Sequence, residues 1–478
     1  MTPLKPLPSR RDGRETRARL LDVAQKTFEE RGYHGASVAE ICRRASVANG
    51  TFYRYFHDKD EVFLHLAERL GQGLEAVLSA ALKRPGTVED RLRRALAAFY
   101  SYVGEHRALW QIFREAEFVR LELPVRVYHR LARRIEEHVF TPEDRADAAA
   151  RAAIPFALMG CAYMVGTRYI IWENRPVPDA DLEAVVDFAT RGLSTGAPMA
   201  PIPWPPAGGD ADGQGGNTAG SGNTPGRGNT AGGGAIGGST VSSGGTAGGS
   251  SATSGSGAAR NGSTPDTGRD ETAGERTRRR LLAAAEQCFG EMGYFGAQIA
   301  DITRLAGVAQ GTFYVHFPGK VDILRELVRD INRRLRRRVR QAIAGSTDRR
   351  HAEVLGLAAF LEWLHGRGGI YRIVREAEFV DEEVARWYYT RLAEGYGPAL
   401  AAAAQAGTVR PIPPEPLAYA LLGLGHISGL RWVLWPGPDP DAVQLDLPDV
   451  VRSLGAFILY GVEGVRRGAA VPFAPALK

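Results

Sequence analysis

Near the N-terminus, apolar residues recur at helical spacing. Leu20, Leu21, Ala24 and Phe28 share one helix face, which Gly32 ends and Tyr33 seals. Ser37 predicts an N-cap for a second helix over 38–45, with Glu40 as capping-box partner and Ile41 facing inward. A turn over 46–49 leads to a third helix over 50–56. Phe52 and Phe56, one turn apart, anchor that helix, so Thr51, Arg54 and Tyr55 point outward. Two short helices, a tight turn and an exposed polar face form a helix-turn-helix, which suits the major groove. Strand signals are nearly absent, so the predicted fold class is all-α.

The same pattern then returns. Residues 16–59 and 277–320 align without a gap, 261 positions apart. REAEFV stands at 114–119 and again at 375–380, and Tyr-x-Arg-Leu at 128–131 and 389–392, at the same offset. RYIIW at 168–172 matches RWVLW at 431–435 at an offset of 263. Each half is therefore a whole domain rather than an isolated motif. In the second copy Gly307 stands where the first has Ser46, Phe313 and Phe317 are the anchors, and Thr312, Val315 and His316 point outward. Gln298 replaces the Ser37 cap, a loss of about 1 kcal/mol for that helix.

Between the halves, residues 196–270 are mostly Gly, Ser, Thr, Ala and Asn. Such a segment cannot bury enough apolar surface to offset its ordering entropy, and it predicts a flexible linker. About 70 residues of this type span on the order of 45 Å. The expected organisation is a basic disordered arm over 1–13, a helix-turn-helix unit over 14–60 and a larger helical domain over 61–195. After the linker, the second helix-turn-helix unit covers 271–321 and its helical domain 322–470.

Three cysteines, Cys42, Cys161 and Cys288, lack metal-ligand spacing and read as core fillers. No signal peptide or membrane span is evident. The net charge is only +6, but Arg10, Arg11, Arg14, Arg17 and Arg19 crowd the first module, and Arg276, Arg278, Arg279 and Arg280 the second. Clustered cations suit an anionic partner, and they equally suit a solvated helix face.

The run GYHGASVAEICRRASVANGTFYRYFHDK at 32–59, and its counterpart ending GVAQGTFYVHFPGK at 307–320, resemble the DNA-binding domain of TetR-family repressors. The resemblance implies three DNA-binding helices followed by a helical domain for ligand and dimerisation. It implies phosphate contacts from Thr51, Tyr53, Tyr55 and Lys59, and from Thr312, Tyr314, His316 and Lys320; Ser37 is grouped with them. Tyr53 and Tyr314 could instead be partly core. Base readout falls to Asn49 and Arg54 in the first module and to Gln310 in the second, because Asn and Gln suit adenine and Arg suits guanine. Val315 replaces Arg54 and offers an apolar contact to a thymine methyl. Arg10 and Arg11 are placed to reach an adjacent minor groove or to serve as solubilising charge.

Trp110, Phe113, Glu117 and Phe118, with Trp363, Tyr371, Glu378 and Phe379, are the candidates for lining a ligand pocket, and ordinary core is the competing reading. The repeated Arg and Glu of REAEFV are read as ion pairs. Residues 153–172 and 417–435 are long, apolar and rich in Gly and Ala, and each is followed by a further helix; the resemblance implies that these helices form a four-helix interface, here between the repeats of one chain. Arg333, Arg334, Arg336, Arg337, Arg338 and Arg340 have no counterpart near 76–81, and are read as a solvated face rather than an anion site. There is no phosphate loop, metal-spaced cluster or nucleophile motif, so neither an enzyme nor a cofactor is expected.

The sequence thus reads as a ligand-responsive transcriptional repressor, cytoplasmic and at the nucleoid, with double-stranded operator DNA and a small-molecule effector as partners and no membrane role. It would bind an asymmetric operator as a single-chain pseudo-dimer. Pairing between chains, or an interaction scaffold with weakened DNA binding, stand as alternatives.

Overall fold

A computed structural model describes residues 11–203, 272–435 and 445–474. Arg10 and most of the 196–270 segment lie outside them. The first repeat comprises α1 (Arg11–Gly35), α2 (Val38–Arg44), α3 (Asn49–Tyr55), α4 (Lys59–Lys83), α5 (Val88–Glu105), α6 (Arg107–Val119), α7 (Glu122–Val139), α8 (Ala148–Gly166) and α9 (Asp179–Arg191). The second comprises α10 (Ala273–Gly296), α11 (Ile299–Ala306), α12 (Gln310–His316), α13 (Lys320–Ile343), α14 (Arg349–Leu364), α15 (Gly368–Val380), α16 (Glu382–Ala393), α17 (Gly397–Gln405), α18 (Pro414–Gly429) and α19 (Leu447–Arg466). Among the described residues there is no strand beyond two isolated bridges. The fold is all-α, as the periodicity predicts.

Each three-helix unit closes on the residues that the pattern singles out. Leu20, Ala24, Phe28, Ile41, Phe52 and Phe56 are buried, as are Leu281, Ala285, Phe289, Ile302, Phe313 and Phe317. Gly32 (φ 67°) and Gly293 (φ 75°) break α1 and α10 at equivalent points. Gly307 turns the chain out of α11 at φ 63°, and Ser46 is forced into the same left-handed region at φ 54°. That conformation costs a non-glycine residue about 1 kcal/mol. Ser46→Gly is therefore expected to stabilise the protein by about 1 kcal/mol; denaturant unfolding checks this, and an unchanged midpoint would contradict it.

The caps differ from expectation in one respect. Ser37 Oγ accepts the Glu40 N–H at 3.2 Å, but Glu40 does not close a capping box. Its carboxylate is drawn to Arg31 and Arg44, each at 3.1 Å. In the second module Asp301 accepts the Gln298 N–H at 3.0 Å, which offsets the weaker cap.

The repeats pack on each other through α8, α9, α18 and α19. Where α8 crosses α18, a β-carbon on Gly160 or Gly423 would collide with the other's carbonyl. Beyond α9, the Leu193 and Ser194 N–H groups donate to the Ile458 and Leu459 carbonyls at 2.9 and 2.8 Å. Residues 196–203, expected to begin the linker, belong instead to this packing. Ile202 is fully buried, and its N–H donates to the Pro472 carbonyl at 2.7 Å. The buried Arg350 donates to the Ala197 and Pro198 carbonyls at 2.7 and 2.9 Å. A buried guanidinium needs acceptors, and this stretch of backbone supplies them. Ala148–Trp172 and Pro414–Leu434 are long and apolar enough to span a bilayer, yet 78% of each apolar stretch is buried inside the protein. They are the central helices of the core.

Candidate nucleic-acid interface

The exposed face of α3 carries Asn49, Gly50, Tyr53 and Arg54, and that of α12 carries Gln310, Gly311, Tyr314 and Val315. Tyr53 and Tyr314 are 51% and 53% exposed, which leaves both rings and hydroxyls outside the core. Val315 is 79% exposed, a large apolar side chain left in solvent. Thr51, Tyr55, Thr312 and His316 are half-buried at the edge of these faces. Tyr55 thus does not point fully outward, because it packs against the core.

Several cations are used inside the protein. Lys59 Nζ donates to the Tyr33 and Ala36 carbonyls at 2.6 and 3.2 Å, and Lys320 Nζ to those of Tyr294 and Ala297 at 2.8 and 2.9 Å. Each ammonium lies over a tyrosine ring, 4.0 and 4.3 Å from its centroid, and burial lowers its pKa. Both lysines fasten the turn after the first helix to the start of the fourth, rather than reaching out toward a phosphate. Arg17, counted in the basic cluster, is buried, hydrogen-bonds His65 at 2.9 Å and lies over Phe56. Its counterpart Arg278 pairs with Glu326 and lies over Phe317. Arg11 is part of α1 rather than of a disordered arm, and pairs with Glu15 at 2.9 Å. The N-terminal charges of α1 continue its helix, so only Arg14 and Arg19 of the described cluster stay exposed with Arg11.

The two modules are tied to their helical domains through REAEFV. Both oxygens of Glu115, on α6, accept the Tyr33 N–H just past the Gly32 break, at 3.1 and 3.2 Å. Glu376, on α15, accepts the Tyr294 N–H at 2.5 Å past Gly293. The remaining charges cross between repeats. Arg114 pairs with Glu378, and Arg375 with Glu117, with all four side chains at most 6% exposed. Phe118 and Phe379 meet edge to face at 5.7 Å beside them. His34 and Phe295 stack at 3.8 Å, so the two DNA-binding modules also touch directly. The ion-pair reading of REAEFV holds, with pairs that join the repeats. Its signal in the sequence was six identical residues amid divergent neighbours.

Burial raises the Glu115 pKa to about 7 from 4.5. An acid whose folded value lies above its unfolded value holds an extra proton in the fold, so stability falls as pH rises from about 4.5 to about 7. Above that window the deficit is complete. Glu115→Gln keeps an acceptor for Tyr33 and removes the buried charge. At pH above the window it is expected to gain up to about 3 kcal/mol in urea unfolding, and nothing at acid pH. A pH-independent difference would contradict this.

Two cavities lie within the helical domains. The first, about 60 Å³, is lined by Trp110, Phe113, Tyr128 and aliphatic side chains. The second, about 220 Å³, is lined in part by Tyr371, Tyr388, Tyr389, His426, Arg336 and Arg340. Glu117, Phe118 and Trp363 line neither. Glu117 is committed to Arg375, Phe118 to Phe379, and Trp363 to the core. Glu378 and Phe379 border a separate cleft beside Gly32 and Glu115. The arginine run of α13 is not one solvated face. Arg333, Arg334 and Arg338 pair with Asp330, Glu286 and Glu362, while Arg336, half-buried, and Arg340, exposed, border the second cavity.

Two helix-turn-helix units on one helical scaffold define a DNA-binding transcription regulator. Residues 20–66 and 281–327 each match the profile of the bacterial regulatory proteins of the tetR family. The chain is 27% identical over 184 residues to the HTH-type transcriptional activator FasR of Mycolicibacterium smegmatis, covering 38% of this chain and 84% of that protein. It is 32% identical over 89 residues to the fatty acid metabolism regulator protein of Bacillus subtilis, covering 18% and 45%. A crystal structure of a TetR-like transcriptional regulator from Rhodococcus sp. RHA1 aligns with 36% of this chain and 92% of that one, at 25% identity and a TM-score of 0.31. The chain belongs to the TetR family and carries that family's module twice.

Proposed function

We propose that the chain is an effector-controlled repressor that reads an operator with unlike half-sites, its two repeats acting together as a single-chain pseudo-dimer in the cytoplasm. The observation that carries this reading is the crossed pairing of Arg114 with Glu378 and Arg375 with Glu117, which engages α6 of one repeat with α15 of the other. Asn49, Tyr53 and Arg54 would contact one half-site, and Gln310, Tyr314 and Val315 the other. Thr51, Tyr55, Thr312 and His316 would add phosphate contacts at the edges.

The apolar cavities, and kinship to a protein named for fatty acid metabolism, support a largely hydrocarbon effector. α13 follows directly on α12 and lines the second cavity, so a ligand there would move the second module. The shift requires that ligand bind the off-DNA arrangement better.

Selection from random duplexes tests the reading. An imperfect inverted repeat, bound with steep salt dependence, is the expected result; a perfect palindrome, or no selected sequence, would contradict it. Arg54→Ala should lose about 1–3 kcal/mol of discrimination at one position of one half-site only. Competition binding with single-base operator variants measures this, and equal loss in both half-sites would refute the assignment.

A further inference from the structure

The second cavity is not a copy of the first. Arg336 and Arg340 have Glu75 and Ser79 at the equivalent positions 261 residues earlier, and Tyr388 has Val127. His426 has Tyr163, at the later offset of 263. The first cavity therefore has no charged side chain in its lining, and Glu75 is taken up by Arg130 and Arg134. It does hold two buried polar atoms without a partner, Trp110 Nε1 and Tyr128 Oη, but only about 60 Å³ of space.

In the second cavity the polar lining falls into two sets on different helices, the arginines on α13 and the tyrosines and histidine on α15, α16 and α18. Arg336 and Arg340 lie one helical turn apart on α13, and neither forms a salt bridge among the described residues. Arg340 Nε instead donates to the Arg336 carbonyl at 3.2 Å. Burial and the nearby Arg391 and Arg340 lower the Arg336 pKa, with Glu394, itself paired with Arg391, opposing them. Two adjacent guanidiniums without a salt-bridge partner form a site for an anion, which can bond both. Among the other lining residues, Tyr388 Oη, Tyr389 Oη and His426 Nε2 are buried with no partner, whereas Arg349 and Glu353 are paired with each other and so add no net charge. The two tyrosines and His426 are 1%, 3% and 2% exposed. Tyr371 Oη and His426 Nδ1 share a hydrogen bond at 2.5 Å, which leaves Nε2 as the free ring position. The rest of the lining includes Leu335, Val339, Leu357, Phe360 and Leu424.

We propose that the second repeat alone holds the effector, and that it is an anionic amphiphile: a hydrocarbon chain in the cavity, its carboxylate or phosphate head on Arg336 and Arg340. A second oxygen function on the chain gives the tyrosines and His426 their missing partners. The proposal rests on the reading of the helical domains as effector sites. It makes the chain a one-sided sensor, in which the first repeat reads DNA and braces the second.

The test is calorimetric titration of the full chain with decanoate, decyl phosphate, decanol and ω-hydroxydecanoate, with stoichiometry from native mass spectrometry. One ligand per chain is expected, with either anion at least about tenfold tighter than decanol, a difference of about 1.4 kcal/mol. Whichever anion binds tighter identifies the head. The Arg336→Gln/Arg340→Gln double variant should remove that advantage and leave decanol unchanged. The ω-hydroxy compound should bind more tightly than decanoate, and Tyr389→Phe should reduce the gain. Decanol equal to both anions, two ligands per chain, or an unaffected double variant would overturn the proposal. Selection of duplex DNA without ligand reads the regulator function separately. An operator without head-group preference defeats this inference alone, and one-sided anion binding without an operator defeats only the DNA reading.

Discussion

Arg375→Met is expected to destabilise the protein by about 3–5 kcal/mol, because it leaves Glu117 charged, buried and without its cation. The matching Arg375→Met/Glu117→Leu double variant should recover most of that loss, since well-packed apolar groups replace a buried pair at little cost. The two single losses then fail to add, as contacting residues should. Denaturant unfolding of the four proteins in the cycle measures this. Additive losses would show that the pair across the repeats does not carry the interaction. The functional consequence follows from position. Arg375 is next to Glu376, which holds the Tyr294 N–H, so weakening the crossed pair loosens the support of the second DNA-binding module. Operator affinity should fall in the single variant even at temperatures where it remains folded.

Gly423→Val should be as damaging, by a different route. A β-carbon there meets the Gly160 backbone and lies 2.7 Å from Met164 Cβ, and helix backbones cannot yield as a flexible side chain can. Overpacking costs about 1–3 kcal/mol at ordinary core sites and more where backbone must move. The α8–α18 crossing should open, with a larger hydrodynamic radius and a lower melting temperature. Gly104→Ala is the control, because nothing lies within 4 Å of its added carbon. Equal effects of the two substitutions would mean that the crossing does not hold the repeats together.

Much of this architecture was legible in the sequence because it is local. Helical spacing of Leu20, Ala24 and Phe28, the Phe52–Phe56 pair and the left-handed turn at Gly307 depend on neighbours within a few residues. The 261-residue offset carried the same reading to the second copy. What the sequence hid depends on partners far away in the chain. Lys59 looks free until the Tyr33 and Ala36 carbonyls are brought to it, and Arg17 looks like surface charge until His65 and Phe56 enclose it. Glu117 and Glu378 suit a ligand pocket by their place among aromatics, but each faces an arginine of the other repeat. The arginine run of α13 resolves by helical phase only once α14 and α16 show which side is the cavity. The start of the linker was misplaced because composition alone does not reveal that Ile202 is buried and that Arg350 needs the carbonyls before it.

The central claim is that one chain supplies both reading heads. Light scattering of the protein alone and bound to a selected duplex tests it most directly. The account predicts a single 51.7-kDa chain in the absence of DNA and one chain per operator on it, with unlike half-sites in the duplex. Two chains per operator would contradict it, and would assign the α8–α9 and α18–α19 surfaces to pairing between molecules.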